Sequence, residues 1–160
     1  MDTNTFPIKL NTYFFVKQSI EANPNFDDTK TSNIKNEVSS FLRQNDQENK
    51  YYCTVLLDIN EEESDNFPYK YSIEIFGVFS IQNKSNNNLH MEMIRDQGTM
   101  LLIGAMREKI ANATALGPWD KYVMDFFPID QVQHYVSKSE TEKATPSPPK
   151  KRTSNKQKSK

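Results

Sequence analysis

The chain has little cysteine, little glycine and no long apolar stretch, and each shortage excludes a class of protein. Cys53 is the only cysteine, so neither an intrachain disulfide nor a cysteine-rich zinc site can form. Four glycines among 160 residues leave no glycine-rich phosphate loop. No apolar run approaches the ~18 residues that a membrane helix needs, and the acidic start of the chain does not resemble a secretory signal. We therefore expect a cytoplasmic protein without membrane insertion.

Patterns that support catalysis or metal binding are also scarce. His90 and His134 are 44 residues apart, and neither lies in an HxH or HExxH spacing. Cys53 falls on the apolar face of a predicted strand, where a buried and unreactive thiol is expected. The acidic run 61–65 lacks the glycine and the spaced carboxylates of a calcium loop. The sequence predicts no enzyme, no metal site and no cofactor.

Charge is distributed unevenly along the chain. Residues 137–160 hold eight Lys or Arg against Glu140 and Glu142, a net charge of +6, whereas residues 1–136 hold twelve basic and nineteen acidic residues, a net charge of −7. The tail has no aliphatic side chain larger than Ala144, so burial cannot offset the entropy of ordering it. The sequence predicts a disordered basic tail over 137–160, serving either as a solvated tether or as a weak nucleic-acid contact.

Three segments alternate apolar and polar residues with the period of a β-strand: Thr12–Glu21, Tyr51–Ile59 and Tyr69–Ile81. In the first, Phe14, Val16 and Ile20 are predicted to share one face. The second and third flank an acidic turn and are predicted to form an antiparallel hairpin. Gly77 inside the third predicts a bulge or a close backbone approach. The segment Ile34–Gln44 fits either a helix or a strand.

The apolar period changes to about 3.6 residues in the second half of the chain. This period predicts a long helix over Thr99–Leu116 and a shorter helical piece over Leu89–Asp96. Trp119–Pro128 is predicted to be extended, and Ile129–Val136 to be a last helix of two turns. Because strands precede helices along the chain, the expected fold class is α+β with an antiparallel sheet.

Aromatic and long apolar residues exceed what one sheet and a few helices can cover. The chain has ten Phe, seven Tyr and six Met. The adjacent pairs Phe14-Phe15, Leu56-Leu57 and Ile75-Phe76 place apolar side chains on both faces of the predicted strands. Either the second face packs beneath loops or part of this surface meets another subunit or a partner.

Four motifs follow one another in the order found in the SecB family of export chaperones. They are Ser19–Pro24 (SIEANP), Gly77–Ile81 (GVFSI), Met106–Ile110 (MREKI), and Gly117–Trp119 together with Phe126–Asp130 (GPW, FFPID). The first matches the family's Ser-x-Glu-Ala-Pro with one residue inserted before the proline. The third keeps the Arg-Glu-x-Ile of the family's main helix. The chain over 12–136 therefore resembles SecB.

The resemblance implies a four-stranded antiparallel sheet with a long helix and a short C-terminal helix, assembled as a dimer of dimers. It implies a domain over 12–136, flanked by a flexible N-terminus, 1–11, and the basic tail. It also implies a holdase that binds unfolded polypeptides without ATP, as in protein export. The residues expected to line the client groove are Tyr69, Tyr71, Phe76, Phe79, Trp119, Tyr122, Phe126 and Phe127. Those expected to form the oligomer interface are Ile103, Met106, Arg107 and Ile110.

Departures from the family leave the partner and the client open. Of the acidic positions that dock the translocation motor SecA in the family, Glu21 is retained, whereas the others align with Lys17, Lys70 and Ser72. Charge reversal at two positions predicts weaker docking to a basic partner. One alternative is a dedicated chaperone of a single client, such as an antitoxin. The other is an interaction module that binds one folded partner, or nucleic acid through its basic tail.

Overall fold

The computed structural model describes residues 8–45, 49–82 and 87–137, and these form one sheet with helices on one side. The strands are β1 (Ile8–Ala22), β2 (Asn36–Asn45), β3 (Lys50–Ile59), β4 (Tyr69–Ile81) and β5 (Gln133–Ser137). The helices are α1 (Asn87–Met93) and α2 (Thr99–Thr114), joined by a π-helical turn over Ile94–Gly98. A 3-10 turn, Ile129–Gln131, precedes β5. None of the helices in these ranges is long and apolar enough to cross a membrane.

The sheet has five strands in the order β1-β4-β3-β2-β5. The first four are antiparallel to their neighbours, and β5 runs parallel to β2. The α+β class is confirmed, while the expected four-stranded, purely antiparallel sheet is corrected to a five-stranded mixed sheet. β3 and β4 form the predicted hairpin.

The predicted C-terminal helix over Ile129–Val136 is wrong. Only Ile129–Gln131 makes a helical turn, and the following residues pair with the edge of β2, with His134 opposite Ser40. The His134 imidazole Nδ1 lies 2.6 Å from the Ser40 hydroxyl, which ties the two strands together. Pairing with β5 provides hydrogen-bond partners for the backbone N–H and C=O groups on the outer edge of β2. A two-turn helix would leave those groups without protein partners, so the hydrogen bonds between the strands outweigh the local preference for a helix.

The ambiguous segment before the hairpin is the strand β2. Val38, Ser40 and Leu42 are buried on the side of the sheet that carries the helices, which we call the helix face. Phe41 points to the opposite side, the open face, and is 44% exposed. A helix would have placed Phe41 beside Leu42 in the core. The observed alternation of buried and exposed side chains is that of a strand, although the apolar residues also fit helical spacing.

An irregularity in β1 overturns the predicted shared face of Phe14, Val16 and Ile20. The register with β4 shifts between Leu10 and Thr12, before these residues, and again between Phe15 and Lys17, which separates Phe14 from Ile20. As a result Phe14 lies opposite Phe76 on the open face, whereas Ile20 lies opposite Tyr71 on the helix face. An extra residue in one strand reverses the parity of every position beyond it, and sequence alternation alone does not reveal it.

The core lies between α2 and the helix face of β3 and β4. The helix contributes four side chains with no more than 1% exposure: Leu102, Ile103, Met106 and Ile110. The strands contribute the alternate residues Cys53, Val55, Leu57, Ile73, Ile75 and Phe79, all equally buried. Each such aliphatic or aromatic side chain contributes about 1.5–3 kcal/mol on leaving water, so this layer is the main source of stability.

α2 begins at the predicted residue and ends at Thr114, two residues before the predicted end. The Thr114 hydroxyl donates to the carbonyl of Ile110 (2.9 Å) and accepts the backbone N–H of Tyr122 (2.9 Å). This buried hydroxyl therefore joins the last turn of the helix to the chain that follows.

The expectations for the two ends of the chain lie largely outside the described residues. β1 begins at Ile8, earlier than the predicted Thr12, and β5 ends at Ser137. Residues 1–7 and 138–160 are not described. The flexible N-terminus and the disordered basic tail remain predictions.

Gly77 marks a close approach rather than a bulge. β4 pairs in unbroken register with β3 through Gly77 and Cys53. A Cβ at Gly77 would lie 2.9 Å from Leu102 Cδ2 and 3.0 Å from Phe79 Cε2. Gly104, in contrast, has nothing within 4 Å of such a Cβ and is exposed on α2.

These two glycines form a matched pair for substitution. We expect Gly77→Ala to lower the free energy of unfolding by about 1–3 kcal/mol, because it overpacks the contact between helix and sheet. Gly104→Ala should raise it by about 0.5–1 kcal/mol, because alanine favours an exposed helical position. Urea unfolding followed by circular dichroism measures both. Equal effects of the two substitutions would contradict the close approach at Gly77.

Candidate polypeptide-binding surfaces

Residues 115–128 connect α2 to the 3-10 turn before β5, and hydrogen bonds hold this crossing segment against the helix face. The Tyr69 hydroxyl donates to the carbonyl of Asp120 (3.0 Å) and accepts the backbone N–H of Trp119 (3.2 Å). The Trp119 indole Nε1 donates to the carbonyl of Asn23 (3.0 Å), and its ring meets Phe26 edge-on at 5.4 Å. A polar and aromatic network therefore fixes Trp119 beside the end of β1.

Further along, the crossing segment is held from α2. The Arg107 Nε donates to the carbonyl of Met124 (3.0 Å), and the Met124 side chain is fully buried. At the start of the segment, a Cβ on Gly117 would lie 2.3 Å from the Tyr69 hydroxyl oxygen, so any larger residue would displace this hydroxyl. The extended conformation predicted for Trp119–Pro128 is thus fixed by side chains of other elements rather than by a strand ladder.

Tyr122 of the crossing segment packs on two tyrosines of β4, Tyr69 and Tyr71. The Tyr122 ring lies 6.1 Å from that of Tyr71 and 6.4 Å from that of Tyr69. The Tyr71 hydroxyl donates to the side-chain carbonyl of Asn36. Burial raises the pKa of Tyr71 and of Tyr122 above the ordinary value, so both phenols stay neutral at physiological pH. The three rings form a packed apolar layer on the helix face, and their hydroxyl groups have hydrogen-bond partners.

A cleft of about 220 Å³ opens between the crossing segment and the start of β2. Its lining residues are Ile34, Lys35, Asn36, Tyr122, Asp125, Phe126, Phe127, Pro128 and Gln131. Phe126 is 67% exposed, and Val123, on the same segment, is 57% exposed. An anchored segment that presents large apolar side chains to solvent beside a small cleft suits an extended apolar peptide.

The structure distributes the eight predicted client-binding residues over three environments. Tyr69, Tyr71, Phe79 and Phe127 are buried beneath the crossing segment or in the core. Trp119 and Tyr122 are half-buried at the surface of the helix face, and Phe126 is exposed there. Phe76 lies on the open face. Seven of the eight therefore lie on the helix side of the sheet, but Phe79 is eight residues along β4 from Tyr71, beside Gly77 and Gly98, and is not part of the group around the crossing segment.

The residues predicted to form the oligomer interface lie on the inner side of α2. Ile103, Met106 and Ile110 are buried against the sheet of their own chain, and Arg107 binds the crossing segment. Glu21, predicted to dock a partner, is exposed on β1 and accepts a hydrogen bond from the Ser19 hydroxyl at 3.2 Å. Glu21 lies opposite Lys70, which forms an ion pair with Glu61.

A second apolar depression, of about 650 Å³, lies on the outer side of the helices. It is lined by Ile8, Asp96, Gln97, Met100, Leu101 and Ile129. Leu101 is 53% exposed there. The outer side of α2 therefore carries exposed apolar surface as well.

The open face of the sheet carries a row of aromatic side chains that crosses the strands. Phe14 lies against Phe76 with ring centroids 5.2 Å apart, and Phe76 stacks on Tyr52 at 5.8 Å. Phe41 stacks on Tyr135 at 4.8 Å. Phe14, Phe41 and Tyr135 are 54%, 44% and 50% exposed. No described helix covers this face, because α2 packs on the other one.

Among the described residues the single thiol is buried, and no cluster of side chains is arranged as a metal site. The Cys53 thiol is buried 3.7 Å from the Thr99 hydroxyl, and burial raises its pKa to about 11. The buried His90 faces the Tyr51 hydroxyl at 3.1 Å. No group of three His, Cys, Asp or Glu side chains within the described ranges is arranged to hold a metal ion.

Sequence reasoning missed the aromatic row. Its member Tyr135 falls within the predicted helix over Ile129–Val136, and Phe41 falls within the segment that fits either a helix or a strand. The pair Phe14-Phe15 did signal apolar side chains on both faces of β1. The row itself emerges only when the strand order aligns Phe14, Phe76 and Phe41, and no local pattern encodes that order.

No family model matches the chain, and no curated protein matches it in sequence. Its fold is similar to that of a SecB-like chaperone from Mycobacterium tuberculosis, solved with a peptide from the HigA1 antitoxin, with a TM-score of 0.59 and 8% identity over 76% of this chain and 91% of that one. It is also similar to a protein of unknown function from Streptococcus agalactiae, with a TM-score of 0.51 and 13% identity over 74% and 97% of the two chains. The likeness supports a distant SecB-like fold.

The Tyr69 hydroxyl gives a direct test of how the crossing segment is held. We expect Tyr69→Phe to lower the free energy of unfolding by about 1–3 kcal/mol, because it leaves the Asp120 carbonyl and the Trp119 N–H without this partner. Emission of Trp119, the only tryptophan, should shift to the red as the segment loosens. The control is Tyr13→Phe, at a tyrosine that is 47% exposed on β1. Unchanged stability and emission would show that the hydroxyl is not an anchor.

The Cys53 thiol should be unreactive in the folded protein. A pKa of about 11 leaves far less thiolate at pH 8 than in the unfolded chain, so alkylation by iodoacetamide should be slower by roughly a hundredfold or more. The comparison is the labelling rate at the same pH in denaturant, followed by mass spectrometry. Similar rates in both conditions would mean that Cys53 is accessible and ionised.

Proposed function

We propose that the chain is an ATP-independent chaperone that binds unfolded or aggregation-prone polypeptides. The observation that carries the proposal is the crossing segment, which holds Val123 and Phe126 exposed on an anchored backbone beside a cleft. The SecB-like fold supports it, since one protein with this fold was solved with a bound antitoxin peptide. A chaperone of this kind works by mass action, because it binds the unfolded client and so delays its folding or aggregation.

In this proposal the candidate residues have distinct roles. Phe126 contacts the client directly, and Trp119 and Tyr122 line the surface on which an extended segment lies. Tyr69, Tyr71 and Phe127 position that surface from beneath. Phe79 lies in the core at the far end of β4, away from this surface, and Phe76 belongs to the other face of the sheet. Many weak apolar contacts along such a surface bind extended chains with little sequence preference.

The proposal includes a cytoplasmic location, a role related to protein transport and assembly as a homo-oligomer, as dimers of dimers. Docking to SecA is proposed to be weak, because the open face retains Glu21 but carries Lys17 and Lys70 nearby. A dedicated client, such as an antitoxin, is the narrower form of the same function. The two forms differ in how many unrelated unfolded proteins the chain protects.

Light scattering of a reduced, denatured model protein, diluted with and without this chain and without ATP, tests the function. Suppression at near-stoichiometric amounts for several unrelated proteins supports a general holdase, and suppression for one client alone supports the dedicated form. A version ending at Ser137 should protect equally well if the basic tail is only a tether. Failure to delay the aggregation of any client would overturn the proposal.

Exposed residues of the crossing segment allow a mutational test that spares the core. We expect Val123→Ser with Phe126→Ser to weaken client binding about tenfold or more, because two large apolar contacts are lost. Leu116→Ser is the matched control, since Leu116 is 99% exposed at the start of the same segment. Fluorescence anisotropy of a labelled unfolded client measures affinity, with thermal melts to confirm folding. Equal losses from both variants would remove the cleft from the client site.

A further inference from the structure

A depression in the open face lies beside the last described residue of the chain. It has a volume of about 290 Å³ and is lined by Phe41, Leu42, Arg43, Tyr52, Thr54, Phe76 and Ser137. Two of its aromatic rings stack on each other, those of Tyr52 and Phe76, and Phe41 stacks on Tyr135 at its border. Because β5 ends at Ser137, the basic tail leaves the sheet at the rim of this depression.

Two carboxylates lie at one end of the strands that form the depression. Glu37 on β2 is the register partner of Asp58 on β3, and both side chains are on the open face. Like charges directly opposite each other on neighbouring strands repel, and a cation placed at the pair removes the repulsion. No Lys or Arg of the described ranges forms an ion pair with either carboxylate, although the Asn60 amide donates to Glu37 at 2.7 Å. The pair is therefore a suitable position for basic side chains from another segment.

The tail contains one segment that suits both features. Residues 146–152 read PSPPKKR, with three prolines followed by three basic residues. Proline-rich segments favour an extended conformation before they bind and dock on aromatic grooves at a low cost in entropy. The basic residues that follow suit carboxylates, with which they form charge-assisted hydrogen bonds.

The spacing of the two features on the sheet matches the spacing within the tail. The carboxylate pair lies four residues along β2 and β3 from Phe41 and Thr54, which are register partners in the depression. Four residues of a strand span about 13 Å. In an extended proline-rich chain, the four residues from Pro148 to Arg152 span about 12 Å. Prolines in the depression therefore place the basic residues at the carboxylates.

We propose that residues 146–152 fold back onto the open face of β2 and β3, with the prolines in the depression and the basic residues at Glu37 and Asp58. The occupant is the chain's own tail because it starts at the rim of the depression, and because its net charge of +6 is opposite to the −7 of the preceding residues. Arg43, over the Tyr52 ring at the other side of the depression, favours this direction by repelling the basic residues. A nucleic-acid strand would be repelled by the carboxylate pair.

The intervening chain is long enough for this path. β5 runs parallel to β2, away from the carboxylate pair, so the tail must reverse its direction after Ser137. Residues 138–145 provide eight residues for the turn, and at about 3.3 Å per residue they reach beyond the depression. The predicted disorder of the tail is thereby limited to the residues on either side of 146–152.

A weak contact is sufficient because the tail is tethered to the sheet. A short flexible linker gives its end a local concentration of the order of millimolar. A contact with a dissociation constant of about 1 mM is then mostly formed at a local concentration of about 5 mM. The tail thus covers part of the exposed aromatic surface without a large interface.

The contact leaves the other candidate surfaces open. Glu21, the predicted partner-docking residue, lies on β1, and β4 separates β1 from β3. The cleft beside the crossing segment lies on the helix face. The proposal therefore does not depend on the chaperone function, and its test uses no client.

Zero-length cross-linking of the full chain tests the contact. A carbodiimide should join Lys150 or Lys151 to Glu37 or Asp58, and mass spectrometry identifies the linked peptides. In an equal mixture of unlabelled chains and chains labelled with heavy nitrogen, each linked pair should carry one label only, because the contact lies within a chain.

Two aromatic substitutions show whether the depression holds the tail. Phe41→Ser should lower the yield of these cross-links about fivefold, although the reacting amines and carboxylates all remain. Phe14→Ser is the matched control, because Phe14 is an exposed aromatic residue of the same face that does not line the depression. Thermal melts confirm that both variants are folded.

Tryptic cleavage provides a second readout that leaves the tail sequence unchanged. Docking should slow cleavage after Lys151 and Arg152 about fivefold relative to cleavage after Lys156, which lies beyond the docked segment. Raising the salt concentration to about 0.5 M should weaken this protection, because salt screens the ion pairs.

Two double variants locate the carboxylates that hold the tail. Glu37→Gln with Asp58→Asn should remove the protection from trypsin. Glu62→Gln with Glu63→Gln removes the same charge from the exposed turn between β3 and β4, and should leave the protection intact. Equal loss in both variants would show that the tail responds to net charge and not to this pair.

Other results would also contradict the proposal. Linked peptides that combine both labels would show that the tail docks on a second copy, and a complete absence of these cross-links would show that it does not dock here. Protection from trypsin that requires an added single-stranded oligonucleotide would make the tail a nucleic-acid contact instead. Loss of client protection in the Val123 and Phe126 variant bears on the proposed function and not on the tail.

Discussion

The packing of α2 against one face of the sheet is the constraint on which the other features depend. Four buried side chains of the helix meet six from β3 and β4, and Gly77 allows the helix to approach the sheet closely. Because only this face has a helical layer, the apolar side chains of the opposite face have no cover within the described chain. The same packing fixes the end of α2, from which the crossing segment starts. Both candidate surfaces, the cleft beside the crossing segment and the aromatic row, thus follow from a two-layer architecture.

The elements that could be predicted from sequence are those whose periodicity is strong and local. β3, β4 and the start of α2 agree with prediction because alternation and the 3.6-residue period are uninterrupted there. β1 is less predictable, since the register shift between Phe15 and Lys17 reverses the parity of Phe14 relative to Ile20. β5 could not be predicted from Ile129–Val136 alone, because its conformation depends on the edge of β2, more than 90 residues earlier.

The sequence indicates which types of residue lie near the crossing segment, but not which of their side chains face solvent. Aromatic residues near Trp119 and Tyr69 do gather on the helix face, as a binding surface requires. Sequence alone could not distinguish Phe126, which faces solvent, from its neighbour Phe127, which is buried, because the crossing segment has no regular period. Its conformation is set by hydrogen bonds from the Tyr69, Thr114 and Arg107 side chains, each contributed by a different part of the chain.

The position of β5 affects how the sheet ends. By pairing in parallel with β2, it places only five residues at that border, a segment too short to template a further strand efficiently. At the other border, β1 is long, but its register with β4 shifts twice, and Lys9 and Lys17 interrupt its apolar character. A protein with this much exposed aromatic surface is at risk of growing into fibrils by strand addition. Here the exposed aromatic side chains lie on the faces of the sheet and not at its edge strands. Contacts through side chains are therefore favoured over backbone pairing with the edge of another sheet.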